Sequence, residues 1–392
     1  MAFAKASTAG REQSRAQIKR PRLVALGGFD LPFFLLVVAL LTIGLVMLFS
    51  ASYVYAMYNE KDGALHYIKR QLLFALIGIA LMLIISKIDY HMLRVVAVPV
   101  ILISIALLVI VLLMHPYLGK WHRWIYIGSF NFQPSEVAKF GLILFFAHLI
   151  SINQKKMKTL RYGILPYFII MGLVAALMLM EPHLSGTILI LCIGVMMMIV
   201  GGASLKWFGI FAAAGIVLMG IFLFGFNGIS YVGERLVAWT NKDYQPMDAR
   251  WQINQSLYAI GSGGFLGTGV GGSNQKYLYV SEPQNDFIFS IVAEELGFVG
   301  SLLIIILFAL LVWRGFVIAM RSPDKFGALL ALGLTFQVGL QAALNIAVVT
   351  DTVPNTGISL PFFSAGGTSL VMLLLQMGIV MSVSRFSNMR KT

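Results

Sequence analysis

Cysteine and charge are both scarce in this chain of 392 residues. Its one cysteine, Cys192, cannot form an internal disulfide, and its place in an apolar run predicts a small buried side chain. Charged residues make up 11% of the sequence and hydrophobic residues 59%, whereas an average soluble domain has about 25% and about 45–50%. This composition excludes an ordinary soluble globular protein.

The chain contains long apolar runs. Stretches such as "LPFFLLVVALLTIGLVMLFSA" are long enough to cross a bilayer as helices. We predict an all-α, polytopic membrane protein with ten transmembrane helices near 30–55, 69–88, 94–114, 134–153, 162–180, 184–202, 205–226, 286–313, 326–350 and 363–384. The predicted domains are a basic cytoplasmic tail (1–29), a ten-helix membrane domain (30–386) and a cytoplasmic C-terminal tail (387–392).

The distribution of basic residues predicts the orientation of the chain. Most of the 29 Lys and Arg residues fall in the N-terminal tail and in alternate loops, which the positive-inside rule assigns to the cytoplasm. Both termini are therefore predicted to be cytoplasmic, in a bacterial cytoplasmic membrane. The net charge of +13 reflects this asymmetry and attraction to anionic lipid. Nucleic-acid binding is not expected, because the chain has no folded basic domain.

The longest segment between spans, about 227–285, is predicted to be a large extracytoplasmic loop between helices 7 and 8. Aromatic residues are spread through it, so we expect it to be ordered, with an amphipathic helix that places Ile253, Leu257 and Ile260 on one side. Its "GTGVGG" fits a dinucleotide-binding pattern, but no strand precedes it and no P-loop exists in the chain. The glycines are therefore interpreted as turns, and no nucleotide cofactor is expected.

Four of only 16 acidic residues cluster in "SEPQNDFIFSIVAEELG". Asp286 is predicted near the first turn of the eighth helix, where it could either cap the helix or act chemically. Glu294 and Glu295 lie deeper in the same apolar segment. Because buried charges need partners, we expect one of them to pair with a basic residue inside the bundle.

Other polar residues fall inside predicted spans. Glu136 and Lys139 are three residues apart on one helix face, and they either neutralise each other or line a polar cavity. The stripe of Gln337, Gln341 and Asn345 is typical of hydrogen bonding between helices. The glycine pair at 366–367 would allow a close approach of neighbouring helices.

Three blocks carry a resemblance to a known family. They are "GKWHRWIYIGSFNFQPSEVAKF", "YAIGSGGFLGTGVGGSNQKYLYVSEPQNDFIFSIVAEELGFVG" and "PNTGISLPFFSAGGTSL". Together they resemble the SEDS family, whose members include FtsW, RodA and SpoVE, and the similarity covers the chain after its basic tail. The resemblance implies a peptidoglycan glycosyltransferase that polymerises lipid II into glycan strands beside a class B penicillin-binding protein and other divisome or elongation proteins.

The resemblance also assigns candidate site residues. The family's aspartate before "FIF" falls on Asp286, its Arg-Trp pair on Arg123 and Trp124, and its glutamate and lysine on Glu136 and Lys139. Polymerisation needs a general base for the attacking sugar hydroxyl, which is the role predicted for Asp286. The predicted substrate-binding residues are Lys120, Arg123, Trp124, Glu136, Lys139, Lys276, Glu282 and Ser364. A divalent cation, Mg²⁺ or Mn²⁺, could assist the pyrophosphate leaving group.

The chain departs from the common family pattern at several positions. "SEPQND" stands where many relatives have Pro-Glu-x-His-Thr-Asp, and His183 replaces an acid after the fifth span. The segment 273–276 is more similar to the FtsW and SpoVE type, which favours septal synthesis in division or sporulation over RodA-type elongation. A lipid II flippase would use the same cavity without chemistry at Asp286, and a scaffold would need neither Asp286 nor Glu136.

Overall fold

The protein is a bundle of long helices with a small hairpin at one end. The structure is a computed structural model, and it describes residues 27–60, 63–118, 123–127, 130–181, 183–210, 235, 239–240, 249–277 and 279–387. The helices are α1 (Leu31–Asn59), α2 (His66–Ser86), α3 (Leu93–Leu118), α4 (Pro134–Asn153), α5 (Leu165–Met180), α6 (Leu184–Val200), α7 (Ala249–Ser262), α8 (Ile288–Arg321), α9 (Lys325–Val349) and α10 (Gly367–Ser387).

Eight of the helices that the structure describes are long and apolar enough to cross a membrane, and α6 is a shorter apolar helix of the same kind. The chain is therefore a polytopic membrane protein. Eight of the ten predicted spans correspond to these long helices, and the sixth corresponds to α6. The predicted seventh span, 205–226, falls largely outside the described residues, so the count of ten stays a prediction, as does the orientation of the termini.

The all-α prediction misses one feature. Strands β1 (Ile125–Ile127) and β2 (Phe130–Phe132) form an antiparallel hairpin, with Ile125 opposite Phe132. The hairpin stands directly before α4, which begins at Pro134 as predicted, because proline suits the first turn of a helix. Thr368 at the start of α10 donates a hydrogen bond to the Asn131 carbonyl (2.7 Å), so the hairpin is fastened to the bundle.

Glycines allow α2 and α10 to pack closely. A Cβ on Gly367 would lie 2.2 Å from the Phe74 ring, and one on Gly378 would lie 2.6 Å from the Met82 carbonyl oxygen. Both distances are too short for any other residue, so the predicted close approach at 366–367 is confirmed for Gly367. The prediction for Cys192 was wrong: its side chain is exposed on α6, since that face of the helix has no described protein neighbour covering it.

The long loop contains the predicted helix, α7, and returns to the bundle through a glycine-rich crossing. Gly297 interrupts α8 with φ 66° and ψ −166°, and the loop packs against this kink. Thr268 and Gly269 donate backbone hydrogen bonds to the carbonyls of residues 294 and 295 (2.9 and 3.0 Å). Phe298 donates to the Gly264 carbonyl (3.0 Å). The glycines of "GTGVGG" are therefore turn residues, as predicted, and Gly267 has φ 83°.

A buried ion pair fixes the same crossing. Lys276 Nζ lies 3.0 Å from Glu295 Oε1, and the Ser50 hydroxyl on α1 donates to the same carboxylate at 2.7 Å. Glu294 accepts from the Asn274 backbone N–H (2.9 Å) and from the Ser273 hydroxyl. The prediction that one of these glutamates pairs with a basic residue inside the bundle is confirmed, and the other one holds the loop backbone.

We predict that Gly297→Ala weakens this crossing. A Cβ at this position would lie 2.3 Å from the Gly267 nitrogen, and positive φ costs a non-glycine residue about 1–3 kcal/mol. The purified variant should therefore unfold at a clearly lower temperature when melting is followed by tryptophan fluorescence in detergent. Gly261→Ala is the matched control, because nothing lies within 4 Å of its Cβ position. Equal melting temperatures for the two variants would contradict the prediction.

Candidate functional site

A polar cavity of about 230 Å³ lies where the helices α4, α6 and α9 meet the loops at one end of the bundle. Its ionisable lining residues are Arg123, Glu136, Lys139, His183, Glu282 and Asp286, and its neutral polar residues include Gln133, Ser185, Asn285, Gln341, Ser359 and Ser369. Polar groups of this number are costly at the end of apolar helices, which marks the cavity as a functional site.

The turn before α8 is held by its backbone. The Gln284 carbonyl accepts from the Ala365 N–H (2.8 Å), the Asn285 carbonyl from the Ser364 hydroxyl (2.8 Å), and the Asp286 carbonyl from the Asn345 amide (2.7 Å). Three consecutive carbonyls are thus fixed by donors from α9 and from the loop before α10. The side chain of Asp286 takes no part in holding its own segment.

The Asp286 carboxylate is left available. Helix α8 begins at Ile288 with Phe287 in the capping position and no side-chain cap, so the interpretation of Asp286 as a helix cap is wrong. Among the described residues no side chain or N–H donates a hydrogen bond to its carboxylate. The side chain is half-buried beside Gly357, where a Cβ would lie 3.1 Å from Oδ2.

The surroundings of Asp286 favour its protonated form. Burial raises the pKa of Asp286 to about 6. The positive charges of Arg123 and Arg235 oppose this increase, whereas the negative charge of Glu282 adds to it. A carboxyl group with a pKa near 6 is ionised at neutral pH and is a stronger base than an ordinary aspartate. It is therefore suited to accept a proton from a hydroxyl group.

Glu136 and Lys139 in α4 form an ion pair and also line the cavity. Both roles considered for this pair from the sequence are therefore present. Lys139 Nζ lies 2.8 Å from Glu136 Oε1, and the Lys139 side chain is 3% exposed. Lys139 also donates to Gln341 Oε1 at 3.3 Å, and the Gln341 amide donates to the Ser359 carbonyl at 3.0 Å. This chain connects α4 to α9 and to the loop before α10, and it places one ammonium group in the cavity wall.

The guanidinium of Arg123 is the common electrostatic neighbour of several groups. Arg123 stands two residues before β1 and lowers the pKa values of Asp286, Glu181 and His183. Arg235 donates to the Asn355 carbonyl (2.6 Å), at the base of the loop that covers the cavity. Positive charge is therefore concentrated around Asp286, as binding of an anionic group would require.

Two further titratable groups near Arg123 are uncharged at pH 7. Glu181, directly after α5, is 3% exposed, and burial raises its pKa to about 8. His183, before α6, is also buried, and burial together with Arg123 and Lys139 lowers its pKa well below the usual value. Glu181 is therefore protonated and His183 uncharged, so neither competes with Asp286 for the cationic groups.

No group of three or more His, Cys, Asp or Glu side chains that could hold a metal occurs within the described part of the chain. The cavity does contain three carboxylates. Glu136 is paired with Lys139, which leaves Asp286 and Glu282, and the Asn285 amide donates to Glu282 at 2.7 Å. One or two carboxylates with substrate phosphates are a common coordination for Mg²⁺. These residues fit that arrangement.

Comparison with known proteins identifies the family. The family model described as "Cell cycle protein", for FtsW, RodA and SpoVE, matches residues 31–389. The chain belongs to this family. The resemblance drawn from the sequence blocks to the SEDS family is therefore confirmed.

Two curated members of the family align with almost the whole chain. A probable peptidoglycan glycosyltransferase FtsW from Trichlorobacter lovleyi is 39% identical over 363 residues, with 92% of this chain and 94% of the relative covered. The stage V sporulation protein E of Bacillus subtilis is 40% identical, with 91% and 97% covered.

Solved structures of family members share the fold. A chain from a peptidoglycan synthase complex that coordinates polymerization and crosslinking is 25% identical, with a TM-score of 0.74 and 92% of this chain and 98% of that chain covered. The rod shape determining protein RodA of Thermus thermophilus is 26% identical, with a TM-score of 0.65 and 91% and 97% covered.

The structure brings most of the predicted site residues together. Asp286, Arg123, Trp124, Glu136, Lys139 and Glu282 all line the cavity. Two predicted substrate-binding residues, Lys276 and Ser364, do not line this cavity. Lys276 is 4% exposed and pairs with Glu295, because the loop folds back onto the kink in α8. Ser364 lines a small adjacent cavity, and its hydroxyl accepts from the Leu360 N–H and donates to the Asn285 carbonyl. Lys120 lies outside the described residues.

Some cavity residues were not predicted as site residues. His183 was discounted because it replaces a family acid, and Gln341 was predicted to make hydrogen bonds between helices rather than to line a site. Ser185 and Ser359 gave no signal, since single serines near helix ends are common. The polar stripe in α9 was the usable signal. Gln341 accepts a hydrogen bond from Lys139 of the neighbouring helix α4, as predicted, and both Gln341 and Asn345 also bond to loop backbone.

We predict that Asn345→Leu lowers activity without removing any reacting group. The change leaves the carbonyls of Asp286 and Ile358 without their donor, so the turn that carries Asp286 should shift. A misplacement of about 1 Å can reduce catalysis by about 10²-fold. We expect kcat for glycan formation to fall at least tenfold, measured with purified protein.

Gln376→Leu is the matched control for Asn345→Leu. Gln376 is also a fully buried amide, in α10, but its side chain has no hydrogen-bond partner among the described residues. Its removal should leave stability unchanged or increase it. If both variants retain wild-type kcat, the amide of Asn345 does not position Asp286.

Proposed function

We propose that the protein is a peptidoglycan glycosyltransferase that polymerises lipid II into glycan strands, with Asp286 as the general base. The observation that carries the proposal is the Asp286 carboxylate, which has no hydrogen-bond donor among the described residues and lies in a cavity that also contains Arg123 and Lys139. Such a cavity combines a base with cationic groups at the end of the spanning helices. The names of the FtsW-type relatives describe the same activity.

The chemical step uses each of these features. A hydroxyl group on one sugar attacks the anomeric carbon of another sugar, which carries a lipid pyrophosphate. A new glycosidic C–O bond forms, the bond from the anomeric carbon to the pyrophosphate oxygen breaks, and the hydroxyl proton passes to the Asp286 carboxylate. The lipid pyrophosphate leaves with the bonding electrons. A general base contributes about 10²–10⁴ to the rate of such a step.

The leaving pyrophosphate requires positive charge. Arg123 and Arg235 both act on the pKa of Asp286 and so lie within electrostatic reach of the attacking group. Lys139 is neutralised by Glu136 and therefore serves to orient Glu136 and Gln341 more than to bind a phosphate. Lipid tails would lie along the apolar outer faces of the helices, where the pyrophosphate meets the surface of the membrane.

A divalent cation fits the same site. Glu282 would hold Mg²⁺ or Mn²⁺ beside Asp286, with the pyrophosphate as a further ligand. The metal would supply further positive charge for the leaving group. Glu282 adopts φ 49°, an uncommon conformation for a non-glycine residue, and its side chain is exposed and accessible to an ion.

The sequence identities to the relatives favour septal synthesis. FtsW and SpoVE are 39% and 40% identical to this chain, whereas the RodA structure is 26% identical. We therefore assign the protein to division or sporulation rather than elongation, with a class B penicillin-binding protein as its crosslinking partner. The structural relative from a synthase complex of polymerization and crosslinking supports the proposal of a crosslinking partner. The reaction would occur at the outer face of the bacterial cytoplasmic membrane, with both termini in the cytoplasm.

A lipid II flippase is the second candidate, since a polar cavity in a membrane bundle could also carry a headgroup. Transporter sites usually lie near the middle of the membrane. The cavity here lies at the helix ends, around the turn that precedes α8. Purified protein in detergent separates the two activities, because transport across a membrane has no meaning there whereas glycan formation can still be measured.

We predict that Asp286→Asn abolishes glycan formation and leaves the fold intact. Asparagine has nearly the same size, and the backbone bonds that hold this turn do not involve the side chain. The variant cannot accept the hydroxyl proton, so the polymerisation rate should fall by about 10²–10⁴. The measurement is polymerisation of labelled lipid II by the purified protein with its partner, resolved on a gel.

Asp89→Asn is the matched control for Asp286→Asn. Asp89 is a half-exposed carboxylate at the opposite end of the bundle, where it caps a short helix and contacts His91, and asparagine caps helices equally well. This variant should polymerise lipid II normally. A rate near wild type for Asp286→Asn, in protein with normal melting temperature and partner binding, would refute the general-base assignment.

The pH dependence of the reaction provides a separate prediction. The pKa of Asp286 is raised to about 6, so its basic form is lost below that pH. We expect kcat/KM to be constant between pH 7 and 8 and to fall about tenfold per pH unit below about 6. Tryptophan fluorescence over the same range would verify that the protein stays folded. An acid limb centred near 4, the ordinary range for aspartate, would contradict the environment described here.

A further inference from the structure

A second cavity lies at the end of the bundle opposite to the Asp286 site. It encloses about 400 Å³ between α3, α4 and α9. Ser151 in its wall follows Glu136 along α4, and Asp324 precedes Gln341 along α9, by fifteen and seventeen residues. At about 1.5 Å per residue, the two cavities are separated by about 22–26 Å.

The wall of this cavity carries uncompensated positive charge. Asp324 is the only acid among its lining residues, and its carboxylate is occupied by Arg94, by the Tyr90 hydroxyl (2.5 Å) and by the Gly327 N–H (3.4 Å). Lys325 is exposed and has no ion-pair partner among the described residues. After Asp324 has compensated Arg94, the ammonium of Lys325 remains.

Helix α9 adds to the positive field. Asp324 caps this helix of 25 residues, and its first two residues, Lys325 and Phe326, line the cavity. The amino end of a long helix carries partial positive charge and unpaired N–H groups, which favour a bound anion.

Buried nitrogen atoms without hydrogen-bond partners among the described residues lie in the same wall. Arg94 Nε and His148 Nδ1 are buried, and neither has a hydrogen-bond partner among the described residues. A buried polar group without a partner is unfavourable, so the wall has unused capacity for hydrogen bonds. The Arg94 guanidinium is fixed over the Phe326 ring at 4.9 Å, which holds it at the cavity.

The rim of the cavity faces the membrane. Ile152 lines it and is 65% exposed, and Val95, next to Arg94 on α3, is 81% exposed. Both residues stand on helices that are apolar enough to cross a bilayer. Basic residues are also exposed at this end of the bundle, at Lys87, Lys155, Lys156 and Arg321. An anion that carries an apolar chain would satisfy both the cavity and its rim.

We propose that this cavity binds the phosphate of an anionic phospholipid in the leaflet opposite to the Asp286 site. Lys325 and Arg94 contact the phosphate, and Ile152 contacts the first part of an acyl chain. Basic pockets between transmembrane helices bind such headgroups in this way. The bound lipid bridges α3, α4 and α9, and α4 and α9 are the helices that carry Lys139 and Gln341 to the other end.

The test uses full-length protein in detergent, titrated with phosphatidylglycerol or phosphatidylcholine. Native mass spectrometry counts bound lipid, and melting temperature measures stabilisation. We expect phosphatidylglycerol to bind and stabilise the protein more than phosphatidylcholine. Lys325→Gln should weaken phosphatidylglycerol binding about fivefold, which corresponds to about 1 kcal/mol for a basic residue near an anionic headgroup. Ser151→Phe should fill the cavity and reduce binding without any change of charge.

Lys87→Gln is the matched control, because it removes one exposed charge near the same end of the bundle but does not line the cavity. It should leave binding unchanged. Equal loss in Lys87→Gln and Lys325→Gln, or equal binding of the two lipids, would overturn the proposal. A third arm adds millimolar sodium phosphate: if inorganic phosphate stabilises the protein as well as the lipid does, the site binds free phosphate and the lipid assignment is wrong.

Discussion

The site depends on three backbone carbonyls in a row. Those of Gln284, Asn285 and Asp286 each accept one hydrogen bond, from the Ala365 N–H, the Ser364 hydroxyl and the Asn345 amide. At the start of a helix, an Asp, Asn, Ser or Thr side chain often accepts hydrogen bonds from the backbone of its own segment. Here other elements supply the donors, so the Asp286 carboxylate is left for a substrate. Its raised pKa follows from the same arrangement, because no donor from the described part of the chain offsets its burial.

The rest of the bundle keeps this turn in register. On one side, the glycine crossing and the Lys276–Glu295 pair fasten the long loop to the first part of α8. On the other side, Gln341 and Asn345 fasten the loop before α10 to α9. Buried ion pairs contribute little net stability but are strongly destabilising when one partner is lost. The Lys276–Glu295 pair therefore fixes geometry more than it stabilises the fold.

The positions of the described spanning helices and most of the residues near Asp286 could be predicted from the sequence. The role of each polar group could not. Apolar runs place the spans well, because crossing a bilayer demands an uninterrupted helix. The hairpin of residues 125–132 was missed, since each strand has only three residues. Lys276 was predicted to be a substrate ligand because its position in the long loop does not reveal the fold that buries it against Glu295. Ser364 and His183 were misjudged for a similar reason: whether a hydroxyl or an imidazole faces a cavity or its supporting backbone depends on contacts between segments distant in sequence.

Residues 286–295 contain carboxylates in two different environments. Glu294 and Glu295 hold the structure together, whereas Asp286 is available for chemistry. Glu294 and Glu295 are each about 1% exposed, and both are fully engaged with N–H, hydroxyl and ammonium donors. Asp286, only eight residues before Glu294, has none of these donors and a half-buried side chain. The carboxylates of Glu294 and Glu295 are occupied by their donors, whereas a carboxylate without such donors near cations can exchange its proton at neutral pH. The kink at Gly297 separates these environments from the long apolar part of α8, so the polar contacts that the site needs are concentrated at the end of the bundle and the remaining helix can face lipid.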